Sequence, residues 1–307
     1  MTPVSENSRA YLAIGTAMVS VSFASVLIVW SESSPLVIAT YRLAFTCALL
    51  APYLIVTGGF SEIARFDRRE VILVVLSGVA LAFHFGLWIV SLTLTLVASS
   101  VILVTSHPMF VAAVSHFLLK ERVRKAAVAG IVIAFSGVVI IFLSGYDVSE
   151  NELLGDVLAF LGGICAGIYF LSGRVARQSV AVAPYSFSVY GISASILFVG
   201  AIVAGDAFMV TDPRELTLFV LMAVVPTILG HTMLNYALKT VPAHVISASV
   251  LAEPVGASLL AYLLLEDQVP GPYVIAGGAL VILGLYIVIV KGYQRSAERA
   301  PIALPEE

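Results

Sequence analysis

Charged residues are scarce in this chain of 307 residues, of which only 11% are Asp, Glu, Lys or Arg. Soluble globular domains carry roughly 25% charged residues, because polar side chains have to cover a surface that faces water. Here 60% of the residues are hydrophobic, and the mean hydropathy is +1.04. The composition therefore predicts an integral membrane protein.

Several kinds of functional site are excluded by what else is missing. Cys47 and Cys165 are the two cysteines; two are too few for a disulfide framework, and we interpret both as buried small hydrophobic residues. The chain has no His-Glu-x-x-His motif for zinc and no basic patch of the kind that binds nucleic acid. We therefore expect no catalytic residue, no metal, no cofactor and no nucleic-acid partner. The expected partners are a small-molecule substrate and the lipid bilayer.

Long apolar segments recur along the whole chain. A helix needs about 20 apolar residues to cross a hydrocarbon core about 30 Å thick, and it must satisfy its own backbone hydrogen bonds there. The first such segment follows a single basic residue, Arg9, and lacks a clear cleavage site, so we interpret it as a retained span. A cleaved signal peptide is the alternative. Ten segments meet the length requirement, at about 10–30, 35–57, 70–92, 97–119, 126–144, 153–173, 184–205, 214–238, 242–265 and 270–291.

Lysine and arginine are distributed unevenly between the loops that alternate across these spans. Of the 16 basic residues, 14 fall on the side that holds both termini, Arg214 falls on the other side and Arg42 lies within a span. Loops rich in Lys and Arg stay in the cytoplasm. We therefore predict a multi-pass protein of the inner (plasma) membrane with both termini cytoplasmic.

The two halves of the chain repeat one another. An offset of 146 residues aligns Pro108 with Pro254, Glu121 with Asp267 and Val123 with Val269. This predicts an all-α integral membrane protein with two five-helix units, residues 1–145 and 146–292, followed by a cytoplasmic tail, 293–307. An odd number of spans per unit places the second unit upside down relative to the first. Two inverted units around a central cavity are typical of transporters that expose a site to each side in turn.

Two prolines lie in mid-span at equivalent positions, in His107-Pro108 and Glu253-Pro254. Each removes a backbone donor and clashes with the carbonyl four residues earlier, so we predict helix kinks at Pro108 and Pro254. Carbonyls freed at this depth are tolerated only where protein or a water-filled cavity covers them. The kinks are either purely structural bends or markers of the solute cavity, and their symmetry favours the cavity.

Two charged residues lie within predicted spans. Glu253 is the only carboxylate deep in the membrane, where a buried charge costs on the order of 2.5–3.5 kcal/mol, so it should face the interior. It can bind a substrate amino group, carry a coupling proton or pair with a cation as a structural strut. Arg42 lies about two turns inside the second span, where it can be structural, bind a substrate carboxylate or pair with an acid.

His84 and His231 occupy nearly equivalent places in the third and eighth spans, and Trp88 and Asn235 each follow one helical turn later. This pattern indicates a lined cavity. The histidines can donate hydrogen bonds to a carboxylate or relay protons, and Trp88 can stack on a solute. Packing residues without a function are the alternative for each histidine.

Glycines recur seven residues apart in the fifth and tenth spans, as Gly130 with Gly137 and as Gly277 with Gly284. Residues seven apart lie on one helix face, and small residues there allow close approach of backbones. We interpret the fifth and tenth spans as packing or dimer-facing elements, which leaves both a monomer and a homodimer open.

These residues resemble those of the drug/metabolite transporter superfamily, with its repeated EamA-type unit, over nearly the whole chain. The resemblance rests on Pro35 with Tyr41-Arg42, on Glu253-Pro254 with residues 263–267, and on residues 118–121. The paired glycines are similar to those of the bacterial aromatic amino-acid exporters. The resemblance implies a central cavity between the halves and export of amino acids, aromatic and others. His107 stands where the family often has a glutamate, which leaves any acid-based coupling role to Glu253.

The leading hypothesis from the sequence is an amino-acid exporter with alternating access. Its cavity is expected to be built from the first, third, fourth, sixth, eighth and ninth spans. An exporter of another metabolite or drug class is the nearest alternative. An intramembrane enzyme lacks a recognisable catalytic constellation, and a receptor that binds a ligand without moving it is a further alternative.

Overall fold

The computed structural model describes residues 3–95, 97–121, 123–143, 152–264 and 271–292. Within these ranges every regular element is a helix. Fifteen are α-helices: α1 (Pro3–Ser22), α2 (Ala24–Val29), α3 (Pro35–Thr57), α4 (Gly59–Ile63), α5 (Arg68–Ser91), α6 (Val97–Val104), α7 (His107–Phe117), α8 (Lys125–Leu143), α9 (Glu152–Ala176), α10 (Val182–Ala204), α11 (Pro213–Met222), α12 (Met233–Ala237), α13 (Ala243–Ser249), α14 (Glu253–Leu264) and α15 (Pro272–Tyr286). Wider π-helical turns occupy Ala223–Thr232 and Ile287–Gly292, and a 3₁₀ turn occupies Val250–Ala252.

Seven helical segments of the described chain are long and apolar enough to cross a membrane, and each corresponds to a span predicted from the sequence. The predicted class, an all-helical multi-pass membrane protein, agrees with this architecture. The other three predicted spans are helical but divided or shorter: one is split into α6 and α7, and the apolar parts of the other two cover Lys125–Ile140 and Ile275–Val290. The seven segments are Ser8–Val29, Pro35–Thr57, Arg68–Ser91, Leu153–Ala176, Val182–Ala204, Pro213–Ala237 and Ala243–Leu264.

Some of the predictions fall outside the described residues. These are the boundary between the units at residues 145 and 146, the aligned residues Asp267 and Val269, and the tail at 293–307.

Helix ends coincide with local capping chemistry. The Asp67 carboxylate accepts a hydrogen bond from the Glu70 backbone N–H (2.7 Å), and the Glu70 carboxylate accepts one from the Asp67 N–H (3.1 Å). This reciprocal arrangement is a capping box, and it begins α5. Gly58 and Gly205 follow α3 and α10 with φ of 75° and 76°, a left-handed conformation that glycine adopts without steric strain. The sequence therefore fixes these ends locally.

The main bundle is held by pairs of long helices. α5 packs along α9, α10 packs against α3 and α5, and α1 packs against the π-helical stretch and α12. Their buried faces form a continuous apolar core that runs through most of the chain. Between the helices, buried hydroxyls are paired: Ser77 contacts Ser172 at 2.7 Å, and Ser193 donates to the Gly78 carbonyl at 2.7 Å. The apolar core between the helices is thus stabilised mainly by packing and by a few internal hydrogen bonds.

α8 and α15 form a separate pair that meets at the glycines. A Cβ added to Gly130 would lie 2.7 Å from the Gly284 carbonyl oxygen, and one added to Gly137 would collide with the Gly277 carbonyl oxygen. Backbones this close leave room for no side chain larger than hydrogen. In this structure the four glycines therefore face one another within a single chain.

α3 runs from one end of the helix bundle to the other, and the contacts before and after it define these two ends. Before its first turn, the connecting loop binds Glu215. Beyond its last turn, Glu62 accepts a hydrogen bond from the Ala181 N–H (2.9 Å), which lies shortly after α9. The 23 residues of α3 span about 34 Å. We name these the Glu215 end and the Glu121 end, because Glu121 contacts Arg174 in the last turn of α9.

Candidate functional site

Two spans are interrupted, each just before a proline. α6 ends at Val104 and α7 begins at His107, with Pro108 as its second residue; similarly, α14 begins at Glu253 after a 3₁₀ turn, with Pro254 second. Proline is well tolerated in the first turn of a helix, where its missing N–H has no intrahelical partner. Each proline thus follows a break in the regular α-helix, and these are the two positions at which the sequence predicts a kink.

A narrow cavity lies between the two ends of the bundle, where these breaks meet the long helices. Its volume is about 40 Å³, and a cavity needs about 10–15 Å³ to hold one water. The cavity therefore has room for about three waters, and it has to widen before it can hold an organic solute. Its walls come from the six predicted spans and also from α3, and they are formed by Val21, Ala24, Arg42, His84, Trp88, Val104, Thr105, His107, Ala166, Phe170, His231, Leu234, Val250 and Glu253.

Arg42 is a buried cation in the cavity wall, with only 1% of its surface exposed. Its Nε donates to Thr227 Oγ1 at 2.7 Å, and its guanidinium carbon lies 4.4 Å from the centre of the Phe85 ring. Its Nη1 has no hydrogen-bond partner within the described part of the chain. Glu253 lines the same cavity, but among the described residues neither charge forms an ion pair within 4.0 Å. The two charges thus face one space without direct contact.

The histidines are oriented by backbone carbonyls. His84 Nδ1 lies 3.0 Å from the Gly162 carbonyl oxygen, and His107 Nδ1 lies 2.9 Å from the Val104 carbonyl oxygen. Because a carbonyl only accepts, each Nδ1 carries the proton, and in a neutral ring Nε2 is then an acceptor. The Nε2 of His107 and the Nδ1 of His231 are buried, and neither has a hydrogen-bond partner among the residues that the structure describes.

Aromatic rings complete the wall. Trp88 stacks on His84 with ring centres 6.0 Å apart, and Phe170 stacks on His107 at 5.6 Å. Trp88 is 4% exposed, and no residue in the described ranges forms a hydrogen bond with its indole Nε1. The wall therefore combines apolar faces with isolated polar atoms, which is the usual composition of a small-molecule site.

Asn235 does not line the cavity. Its amide nitrogen donates to Ser186 Oγ (3.1 Å) and to the Tyr190 hydroxyl (3.3 Å), and its oxygen accepts from the Tyr169 hydroxyl (2.7 Å). These partners satisfy a fully buried side chain, so Asn235 acts as a structural connection between α9, α10 and α12. The other six residues suggested by the sequence for substrate contact all line the cavity: Arg42, His84, Trp88, His107, His231 and Glu253.

Sequence reasoning missed several residues of the site, among them Phe170, Thr105 and Thr227. Phe170 and Thr105 lie in the wall, and Thr227 orients Arg42. Phe170 carried no signal that separates it from an ordinary packing residue. Thr227 carried such a signal, because it follows a proline, Pro226, within a predicted span. In the structure, the helix around it has π-helical turns, which often occur at functional sites. In the described part of the chain, no three His, Cys, Asp or Glu side chains cluster closely enough to hold a metal.

A polar cluster lies at each end of the bundle. At one end, Glu215 accepts hydrogen bonds from the hydroxyls of Ser31 (2.5 Å) and Ser33 (2.6 Å). At the other, Glu121 Oε1 lies 2.7 Å from Arg174 Nε, and Glu121 Oε2 lies 3.8 Å from His244 Nδ1. Each cluster joins segments that are more than 50 residues apart in sequence.

Comparisons with known proteins agree on one kind of molecule. The family model described as the EamA-like transporter family matches residues 8–143 and 153–290. An uncharacterized transporter of Archaeoglobus fulgidus is 23% identical over 293 residues, which cover 94% of this chain and 100% of that protein. The threonine/homoserine exporter RhtA of Escherichia coli (strain K12) is 27% identical over 219 residues, 71% of each chain. A solved crystal structure with 17% identity has a TM-score of 0.78 over 93% of this chain and 98% of that chain, which shows a shared fold.

Proposed function

Because this chain belongs to the EamA-like transporter family, we propose that it exports amino acids, aromatic and others, across the inner membrane by alternating access. The observation that carries the proposal is the cavity between the two ends of the bundle, where Arg42 and Glu253 face one space. Intramembrane charges are costly and usually mark a substrate or ion pathway. A cavity with one charge of each sign suits a solute that also carries both.

The proposed mechanism needs two five-helix units inserted with opposite orientation. We assign the units to residues 1–145 and 146–292, and the ten spans to the seven long segments together with α6–α7, α8 and α15. The support is that the family model matches the chain twice, and that helix breaks precede Pro108 and Pro254 at equivalent positions. Both termini and the Glu121 end would then face the cytoplasm, consistent with the distribution of Lys and Arg.

The substrate class is supported by chemistry and by one relative. The wall joins Arg42 and Glu253 with apolar and aromatic faces from Trp88, Phe170 and Leu234, which suits an amino acid with an apolar or small side chain. The relative named threonine/homoserine exporter moves amino acids by its name. We interpret the small cavity as that of a closed state, which widens when either end of the bundle opens.

Efflux from proteoliposomes tests the proposal. Vesicles containing the full-length protein are loaded with radiolabelled L-threonine, L-homoserine, L-phenylalanine or L-tryptophan, and the label released is compared with that from protein-free vesicles. We expect release of at least one amino acid above this background, and the pattern across the four decides between small and aromatic substrates. A matched control is Arg214→Gln, because Arg214 is an exposed residue at the Glu215 end and should leave efflux unchanged.

Release of no amino acid above background would overturn the amino-acid assignment. Loading the same vesicles with a nucleobase or a sugar derivative then tests the alternative of another metabolite class. An exporter of that kind would remain within the family but would use the two charges differently.

A further inference from the structure

The cavity contains buried hydrogen-bonding atoms that no described residue of the protein satisfies. Four of them belong to its wall: Arg42 Nη1, Trp88 Nε1, His107 Nε2 and His231 Nδ1. Arg42, Trp88 and His107 are each less than 5% exposed. Buried polar groups are nearly always paired in proteins, because an unpaired one forfeits its hydrogen bonds to water. Their concentration at one cavity indicates a place where a ligand supplies the missing partners.

Two of these atoms can only donate. The guanidinium of Arg42 is positively charged, and the indole N–H of Trp88 has no acceptor capacity. Arg42 is held in place by Thr227 on its Nε and by the Phe85 ring beside it, so its free Nη1 is a fixed donor. A charged donor and a neutral donor in the wall of one cavity suit a carboxylate, which accepts hydrogen bonds on both oxygens.

The opposite chemistry lies at the two helix breaks. Glu253 is the first residue of α14, and among the described residues it forms no ion pair within 4.0 Å. His107 is the first residue of α7, and its Nδ1 is already committed to the Val104 carbonyl. The remaining Nε2 of a neutral His107 accepts a hydrogen bond. A carboxylate and an imidazole acceptor together suit an ammonium group.

Resting on the proposed function, we infer that the cavity recognises the head group of a zwitterionic α-amino acid. Its carboxylate binds Arg42 Nη1 and Trp88 Nε1, and its ammonium binds Glu253 and His107 Nε2. A zwitterion adds no net charge to this low-dielectric space, whereas a molecule lacking either charge leaves Arg42 or Glu253 unmatched. The cavity therefore selects for the head group, and the side chain contributes less to selection.

Binding is measured apart from transport by using tryptophan fluorescence. Trp30 and Trp88 are the two tryptophans of the chain, so Trp30→Phe leaves Trp88 as the single reporter in the cavity wall. L-threonine or L-phenylalanine should change its emission, whereas the corresponding α-amide and N-acetyl derivatives should require at least a tenfold higher concentration. The amides lack the carboxylate and the N-acetyl compounds lack the ammonium.

Efflux by variants, measured with the amide and the N-acetyl derivative as competitors, then shows which residue binds the carboxylate and which binds the ammonium. Arg42→Gln should lower amino-acid efflux at least tenfold and abolish the preference over the amide, and Arg42→Lys should restore part of it. Glu253→Gln should instead abolish the preference over the N-acetyl derivative. Trp88→Phe keeps the ring and removes only the Nε1 donor, so it should raise KM with little change in kcat, and it decides the question if Arg42→Gln does not fold.

The outcomes separate the inference from the function on which it rests. If an amino acid is exported but its amide and N-acetyl derivative bind and compete equally well, head-group recognition is wrong and the exporter assignment stands. If Trp88→Phe leaves KM unchanged, the carboxylate does not bind at the indole. If no amino acid is exported or bound, the proposed function fails as well.

Discussion

Replacing Glu121 by Gln is expected to cost a measurable part of the stability of this protein. Its carboxylate contacts Arg174 Nε at 2.7 Å, and the same guanidinium donates to the carbonyls of Leu238 (2.6 Å) and Lys239 (2.9 Å). The side chains of Arg174 and Glu121 are only 12% and 10% exposed. The variant therefore leaves a largely buried cation without its anionic partner, at the point where α9 meets the segment between α12 and α13.

The magnitude follows from burial. Removing one partner of a buried ion pair costs roughly 3–5 kcal/mol, whereas an exposed pair contributes about 0–1 kcal/mol. Arg174 keeps its two carbonyl acceptors in the variant, so we expect about 2–3 kcal/mol for Glu121→Gln. The matched control is Glu32→Gln, because the Arg214–Glu32 pair is 3.3 Å long and its side chains are 58% and 86% exposed.

The effect should depend on pH. Burial by itself raises the pKa of the Glu121 carboxyl, but the adjacent His244 imidazole and the Arg174 guanidinium outweigh burial and hold the pKa below its ordinary value. A carboxyl whose pKa is lowered on folding contributes stability above its unfolded pKa and loses it as the pH falls through the folded value. The difference between wild type and Glu121→Gln should be complete at about pH 7 and shrink below about pH 4.

Thermal unfolding in detergent, followed by fluorescence, measures this difference. The melting temperature of Glu121→Gln should be lower than that of the wild type by roughly 4–10 °C at neutral pH. Glu32→Gln should change it by about 3 °C at most. Equal melting temperatures for the two variants, or a Glu121→Gln deficit that does not shrink in acid, would show that the buried ion pair does not stabilise this end of the bundle.

Two further predictions concern the packing of α8 on α15 and the proposed topology. Gly137→Ala adds a Cβ that collides with the Gly277 carbonyl, so it should lower the melting temperature. In the control Gly191→Ala the added Cβ meets nothing within 4 Å, so the melting temperature should stay equal or rise. Equal losses in the two variants would contradict the close packing of α8 on α15. With Cys47 and Cys165 replaced by Ala, single cysteines introduced in residues 58–69 and in residues 206–213 should react with an impermeant reagent from opposite faces of the membrane. Labelling from the same face would rule out the inverted units.

The sequence by itself determined the class of the protein and the place of most helices. Hydropathy and segment length are local properties, so the predicted segment at 35–57 coincides with Pro35–Thr57, and the segment at 70–92 nearly coincides with Arg68–Ser91. Polar residues within such segments are conspicuous because they are costly in a membrane. For that reason the sequence alone indicates these polar residues of the cavity wall: Arg42, His84, His107, His231 and Glu253.

The tertiary structure alone decided which of these residues meet and what orients them. A periodicity of 3.6 residues per turn places Asn235 on the same helix face as His231, but His231 lies in π-helical turns, which change that periodicity. The contact of Arg42 with Thr227 and that of Glu121 with Arg174 join residues 185 and 53 positions apart. No local pattern encodes such pairs, because they form only when distant helices pack side by side.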